Sequence, residues 1–118
     1  MNIKSYVEDL YQNAVDKKDA DYLANFLAQE VVFRIGNYPA VQGKEAVLVS
    51  NREFFKSIDK MAHTIDEIVV SGETVFCYGK VDYVRLDSTT TSATFATVLK
   101  LSGTKITEYY VFADLSAL

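Results

Sequence analysis

Lys80 and Asp82 stand two positions apart in GKVDYVR, residues 79–85, a stretch that is typical of a β-strand. Side chains alternate between the faces of a strand, so these two share one face. Inside a cavity, a carboxyl group beside an ammonium group is a general acid or base. On an open face, the same pair contributes under about 1 kcal/mol to stability. Burial would raise the pKa of Asp82 and Lys80 would lower it, which leaves its protonation state open.

Three further side chains are candidates for binding or catalysis. His63, the only histidine, opens a predicted strand and is either a second proton carrier or a structural residue. Tyr11 fits the apolar stripe of the first helix, where it packs by its ring or donates a hydrogen bond by its hydroxyl. Arg34, in VVFRI, either binds an anionic ligand group or pairs with a nearby acid.

Composition narrows the classes of function. The 118 residues fit one domain, 1–118, and the scattered basic residues with a net charge of −4 argue against nucleic acid as a partner. No apolar stretch reaches the roughly 20 residues that cross a bilayer, so we expect no membrane contact. One cysteine excludes an internal disulfide framework, and the N-terminus lacks a signal-peptide core, which predicts a cytoplasmic protein. One histidine, one cysteine and no carboxylate cluster predict no metal and no cofactor.

The elements that must position these residues follow from periodicity. Apolar residues recur at helical spacing over residues 3–15, Asp19 or Asp21 caps a short second helix, and a third helix begins at Lys44. VVFRI predicts a short strand before it. After Lys60, four long stretches of β character are joined by short turns, which indicates an antiparallel meander. Helices first and strands later are the α+β pattern, with three helices covering one face of the sheet.

The whole chain resembles the nuclear transport factor 2-like superfamily, in particular its SnoaL-like branch of polyketide cyclase and ketosteroid isomerase-like proteins. Three stretches carry the resemblance: VDKKDADYLANFLAQEVVFRI, VQGKEAV and GTKITEYYVFADLSAL. It implies three N-terminal helices on a strongly curved antiparallel sheet, a cystatin-like α+β barrel that forms a cone with an internal pocket. Because this cone serves several reactions as well as non-catalytic modules, it implies no single activity.

Ketosteroid isomerases provide the first comparison of sites. In that group a helix-1 tyrosine and a protonated aspartic acid form the oxyanion hole, and a second aspartate moves the proton. The resemblance places Tyr11 at the tyrosine position, Ile35 at the position of the base and Thr97 near the oxyanion aspartate. Without a titratable base, we do not expect steroid isomerisation as such.

Limonene epoxide hydrolase provides the second comparison. It carries an Arg-x-Asp pair on the second long strand and another aspartate on the last strand. Lys80-Val81-Asp82 resembles that pair, and Val111 stands at the last-strand position. Asp114 follows three residues later, on the opposite face. A SnoaL-type polyketide cyclase needs only one acid–base carboxylate, which Asp82 would supply.

Together the two comparisons imply a cavity and a partner surface. The predicted catalytic residues are Asp82, Lys80, Tyr11 and His63, and the predicted ligand-binding residues are Arg34, Ile35, Phe54, Thr97, Leu99, Tyr109 and Val111. Tyr83, Arg85, Tyr110 and Phe112 would lie on the outer face, which is too apolar for open water. In the superfamily that the chain resembles, this face commonly pairs with a second copy, so the resemblance implies a homodimer.

Three functions stay open at this point. The first is an enzyme acting on a small apolar molecule that carries a carbonyl, enol or epoxide. The second is a non-catalytic binder of such a molecule, and the third is a dimeric interaction module. The sequence specifies neither the substrate nor the reaction type.

Overall fold

Three helices precede most of the sheet in the computed structural model, which describes all of residues 1–118. Helix α1 spans Ile3–Asp9, α2 spans Ala20–Ala24 and α3 spans Lys44–Lys56. The side chains of Asn2 and Asp19 accept hydrogen bonds from the backbone N–H groups of Ser5 and Tyr22, which caps α1 and α2. No helix is long and apolar enough to cross a membrane.

Helix α1 continues as a π-helical segment over Leu10–Val15, which the sequence periodicity did not predict. Its wider turns close through bonds such as that from the Asp16 N–H to the Tyr11 carbonyl, at 2.8 Å. Residues five apart point about 140° away from each other in an α-helix but align in a π-helix. The segment therefore turns both Tyr11 and Asp16 towards the sheet.

Six strands form one curved, unclosed sheet in the order β2-β1-β6-β5-β4-β3. The strands are β1 (Leu27–Ile35), β2 (Val41–Gln42), β3 (Ile58–Ser71), β4 (Thr74–Arg85), β5 (Thr90–Ser102) and β6 (Lys105–Ala113). Strands β3 to β6 form the antiparallel meander that the turns predicted, and β1 joins β6 in parallel. This is the α+β architecture expected from the sequence.

Strand β3 shifts its register against β4 between Ile65 and Glu67, where the sheet carries a bulge. Gly79 of β4 pairs with Ile65 next to that shift. A methyl group at residue 79 would overlap the carbonyl oxygen of Thr64. A glycine is therefore required where the two backbones approach each other.

The apolar core lies between the helices and the inner face of the sheet. One cluster of buried side chains runs from Val7 in α1 through Val47 in α3 to Leu99 in β5 and Ile106 in β6. Strand β4 alternates between buried and exposed positions without interruption. Its inward positions are Val75, Cys77, Gly79, Val81 and Tyr83. Lys80 and Asp82 therefore lie on the outer face, which contradicts the prediction from the sequence.

Candidate functional site

Two adjoining chambers lie between α3 and the inner face of the sheet. The outer chamber has a volume of about 630 Å³, and most of its wall is apolar. The inner chamber holds only about 30 Å³, roughly the space of one water molecule. Phe33, Ile35 and Phe54 line both chambers, so the chambers adjoin at these three side chains.

His63 lines the inner chamber and is paired with the carboxylate of Asp16 behind it. Asp16 Oδ1 lies 2.5 Å from His63 Nδ1, and Asp16 Oδ2 accepts the His63 backbone N–H at 2.9 Å. The His63 side chain is only 7% exposed and that of Asp16 is 16% exposed. In the neutral imidazole, a proton on Nδ1 that is donated to Asp16 leaves a lone pair on Nε2. Every fully buried polar side-chain atom has a partner, so Nε2, which has none in the chain, is accessible, and His63 lines the inner chamber.

Tyr11 supports the imidazole ring rather than presenting its hydroxyl to the chamber. Its ring centroid lies 4.6 Å from that of His63, and Phe95 packs edge-on against the imidazole at 5.0 Å and lies 5.6 Å from the Tyr11 ring. The Tyr11 hydroxyl is hydrogen-bonded to Thr97 Oγ1 at 2.5 Å. Burial raises the pKa of Tyr11 well above its ordinary value, so this phenol stays neutral.

Tyr83 brings a free hydroxyl group to the inner chamber. The residue is 4% exposed, and Phe54 packs edge-on against its ring at 6.5 Å. Burial raises the pKa of Tyr83 to about 12, and the negative charge of Asp16 acts in the same direction. The hydroxyl has no hydrogen-bond partner in the chain and is not fully buried. It is therefore a neutral hydrogen-bond donor that a ligand can reach.

The structure brings six of the predicted site residues to the inner chamber. They are Tyr11, Ile35, Phe54, His63, Tyr109 and Val111. Thr97 and Leu99 face inward but line neither chamber, since they are buried in the core. Burial also raises the pKa of the Cys77 thiol beside Thr97 to about 11, which keeps it protonated and unreactive at neutral pH.

Three predictions about sheet faces are wrong, and Arg34, a predicted ligand-binding residue, lies away from the chambers. The side chains of Lys80 and Asp82 are 57% and 52% exposed and form an outer ion pair, with Nζ 3.4 Å from Oδ1. The pKa of Asp82 is lowered by a hydrogen bond from Ser92 and, to a smaller extent, by Lys80. Arg34 also lies outside, with its guanidinium 5.3 Å from the ring centroid of Tyr110. Tyr83 lies inside rather than on the outer face, because β4 directs its apolar set towards the core.

Of the other residues predicted for the outer surface, Phe112 is exposed and Tyr110 half-buried. Arg85 instead holds the C-terminal segment, donating from Nη2 to the Ala117 carbonyl at 2.7 Å and from Nε at 3.0 Å.

Two polar residues of the site were missed by sequence reasoning. Asp16 is 47 residues from His63 in the chain, and no local pattern reports so distant a contact. Asn51 lines the inner chamber and donates from Nδ2 to the Val47 carbonyl at 2.9 Å, one turn earlier in α3. A buried asparagine on the apolar side of a helix was the one available signal. No group of three His, Cys, Asp or Glu side chains is arranged to hold a metal ion.

The curved sheet and the three covering helices give this chain the nuclear transport factor 2-like fold. The chain belongs to the SnoaL-like domain family, which it matches over residues 7–109. No protein of curated function is similar enough in sequence to count as a relative.

Solved structures share this fold at low sequence identity. A nuclear transport factor 2-like protein of unknown function from Burkholderia pseudomallei is 18% identical, with a TM-score of 0.85 over 97% of this chain and 92% of that one. A protein described as a SnoaL-like polyketide cyclase from a Jannaschia species is 16% identical, with a TM-score of 0.82 over 97% and 86%. A limonene epoxide hydrolase-like enzyme from Mycobacterium tuberculosis is 16% identical, with a TM-score of 0.80 over 94% and 81%.

Proposed function

We propose that this protein binds a small, largely apolar molecule in the two chambers and transfers a proton on it, with His63 as the general base and acid. The observation that carries the proposal is the largely buried Asp16–His63 pair, in which Nε2 has no partner in the chain and His63 lines a mostly apolar chamber. Perturbed or paired titratable groups in a mostly apolar cavity are the usual signature of an active site.

The chemistry follows from the positions of three groups. Nε2 of His63 takes a proton from a carbon next to a carbonyl group, and the C–H electron pair moves into the carbonyl to give an enolate. The Tyr83 hydroxyl donates a hydrogen bond to the enolate oxygen, where negative charge develops. Asp16 stabilises the imidazolium ion, which then returns its proton to a carbon of the enolate. This exchanges protons at carbon or shifts a double bond.

Asp82 has no part in this scheme because it lies on the outer face. The mostly apolar lining of the inner chamber supports the scheme, since electrostatic interactions are stronger in such surroundings than in water. Two of the structural neighbours are described as enzymes, which is compatible with catalysis in a fold of this shape.

Incorporation of solvent deuterium tests the proposal. 2-Tetralone in D₂O would be followed by proton NMR with wild type, His63→Gln, Tyr83→Phe and, as an exposed control, Asp82→Asn. We expect His63→Gln to slow the enzymatic exchange by about 10²- to 10⁴-fold, with a smaller loss in Tyr83→Phe and none in Asp82→Asn. Binding of the ketone without exchange by wild type would support a non-catalytic binder instead.

A second role rests on the outer face of the sheet. Strand register aligns Val69, Phe76, Val98 and Tyr110 in one row, and Tyr78, Ala96 and Phe112 in the next. Of these, Val69, Phe76, Tyr78 and Phe112 are each more than 40% exposed. The ion pairs Lys80–Asp82 and Lys100–Glu108 lie beside the rows. Because charges of both signs flank the apolar rows, this surface is complementary to the same surface on a second copy of the chain. We propose that a second chain covers it.

A further inference from the structure

The shape of the two chambers limits how a ligand can reach His63. The outer chamber, at about 630 Å³, is within the range of small-molecule sites, roughly 300–1,000 Å³. The inner chamber, at about 30 Å³, admits only a small group past Phe33, Ile35 and Phe54. A ligand must therefore keep its body in the outer chamber and direct a terminal carbonyl group, with the carbon beside it, towards His63.

The charges around the chambers are of one sign. Glu53 is the only charged side chain that lines the outer chamber, and it has no ion-pair partner. No lysine or arginine lines either chamber. Three basic side chains of this part of the fold are engaged elsewhere: Lys18 binds the carbonyl groups of Phe55 and Ile58, Arg52 pairs with Asp21, and Arg85 holds Ala117.

An anionic ligand would meet no lysine or arginine on this route, and only neutral donors such as the Tyr83 hydroxyl. A carboxylate that enters an apolar chamber loses its hydration and needs a cation or several donors in return. The one group that can become positive, His63, is already paired with Asp16. Glu53 at the mouth adds repulsion, although its exposure to solvent limits the effect.

We infer that the site selects uncharged molecules with an apolar body and a terminal carbonyl or hydroxyl group, and that Glu53 discriminates against carboxylates. This deepens the proposed function, because it rests on the two chambers being the ligand site. An ammonium compound should bind more weakly than the uncharged molecule and more tightly than the carboxylate, since Glu53 attracts it but the apolar wall provides no further partner.

Three probes with one skeleton test the selectivity: 2-acetylnaphthalene, 2-naphthylmethylammonium and 2-naphthoate. Affinities would be measured by calorimetry at low ionic strength and about pH 7. We expect the ketone to bind at least about tenfold more tightly than the carboxylate. In Glu53→Gln, the affinity for 2-naphthoate should rise by about two- to fivefold, while that for the ketone stays within about twofold. Glu53→Lys should raise the 2-naphthoate affinity further and weaken the ammonium probe.

The inference is overturned if 2-naphthoate binds as tightly as the ketone or if none of the probes binds. It is also overturned if Glu53→Gln leaves the ratio of the ketone affinity to the 2-naphthoate affinity unchanged. The same titrations with His63→Gln separate this result from the proposed catalysis. Selectivity retained in a variant that exchanges no deuterium supports the inference independently of the reaction. Deuterium exchange that continues without charge selectivity contradicts the inference and leaves the proposed reaction standing.

Discussion

Asp16 holds His63 at two points, through the ring nitrogen Nδ1 and through the backbone N–H. The two contacts fix both the position of the strand and the orientation of the imidazole. A π-helical segment places Asp16 on the same face as Tyr11, whose ring packs on the imidazole. One short irregular segment therefore organises the polar side of the inner chamber.

Replacing this carboxylate should weaken both the fold and the site. We expect Asp16→Ala to lower the free energy of unfolding by about 1–3 kcal/mol, because it leaves the His63 backbone N–H without its acceptor. Urea denaturation followed by circular dichroism measures the change. Asp21→Asn is the control, since Asp21 forms only an exposed ion pair with Arg52. An Asp16→Ala protein as stable as this control would contradict the two-point attachment.

Gly79→Ala tests the close approach of β3 and β4. The added methyl group would overlap the Thr64 carbonyl oxygen, so one backbone must move, and we expect a loss of about 1–3 kcal/mol in the free energy of unfolding. Lys80→Ala, one residue later on the exposed face, should change it by less than about 0.5 kcal/mol. Equal stabilities for the two variants would show that the strands can separate without cost.

Periodicity predicted the helices and the meander well, because apolar stripes report directly which residues face a core. The inward face of β4 was also readable, since Val75, Cys77 and Val81 alternate on it. Lys80 and Asp82 were placed on the inner face because Lys80-Val81-Asp82 resembles a known catalytic pair. An inner position would have required this charged pair to lose its hydration. The partnership of Asp16 and His63 could not be predicted, because it depends on a π-helical turn that tertiary packing selects.

Stability should fall at alkaline pH. Burial raises the pKa values of Tyr6 and Tyr83 to about 12 and that of Cys77 to about 11. The unfolded chain loses these protons near its ordinary values, roughly 9–10, so the folded state binds more protons above that pH. The free energy of unfolding therefore decreases between about pH 9 and 12. Denaturation at several pH values should show a shallower decrease in Tyr83→Phe than in Tyr38→Phe, where the ring is exposed. Identical slopes would contradict the burial effect at Tyr83.

The outer face predicts a dimer. Light scattering at micromolar concentration should give twice the chain mass of 13.2 kDa. Phe112→Lys should restore the monomer, because it puts a charge into an apolar row that the partner desolvates. Leu86→Lys changes another exposed apolar side chain, in the turn after β4, and should leave the dimer intact. A monomeric wild-type protein would contradict the proposed dimer.

The state of His63 is the most direct test of the central claim that Asp16 orients an imidazole whose Nε2 serves a ligand. Because the chain has one histidine, ¹⁵N-detected NMR reports this ring alone. We expect the neutral ring to carry its proton on Nδ1, and the Nε2 resonance to shift when 2-tetralone is added. A neutral ring protonated on Nε2, or an Nε2 resonance that does not respond to bound ketone, would contradict the account.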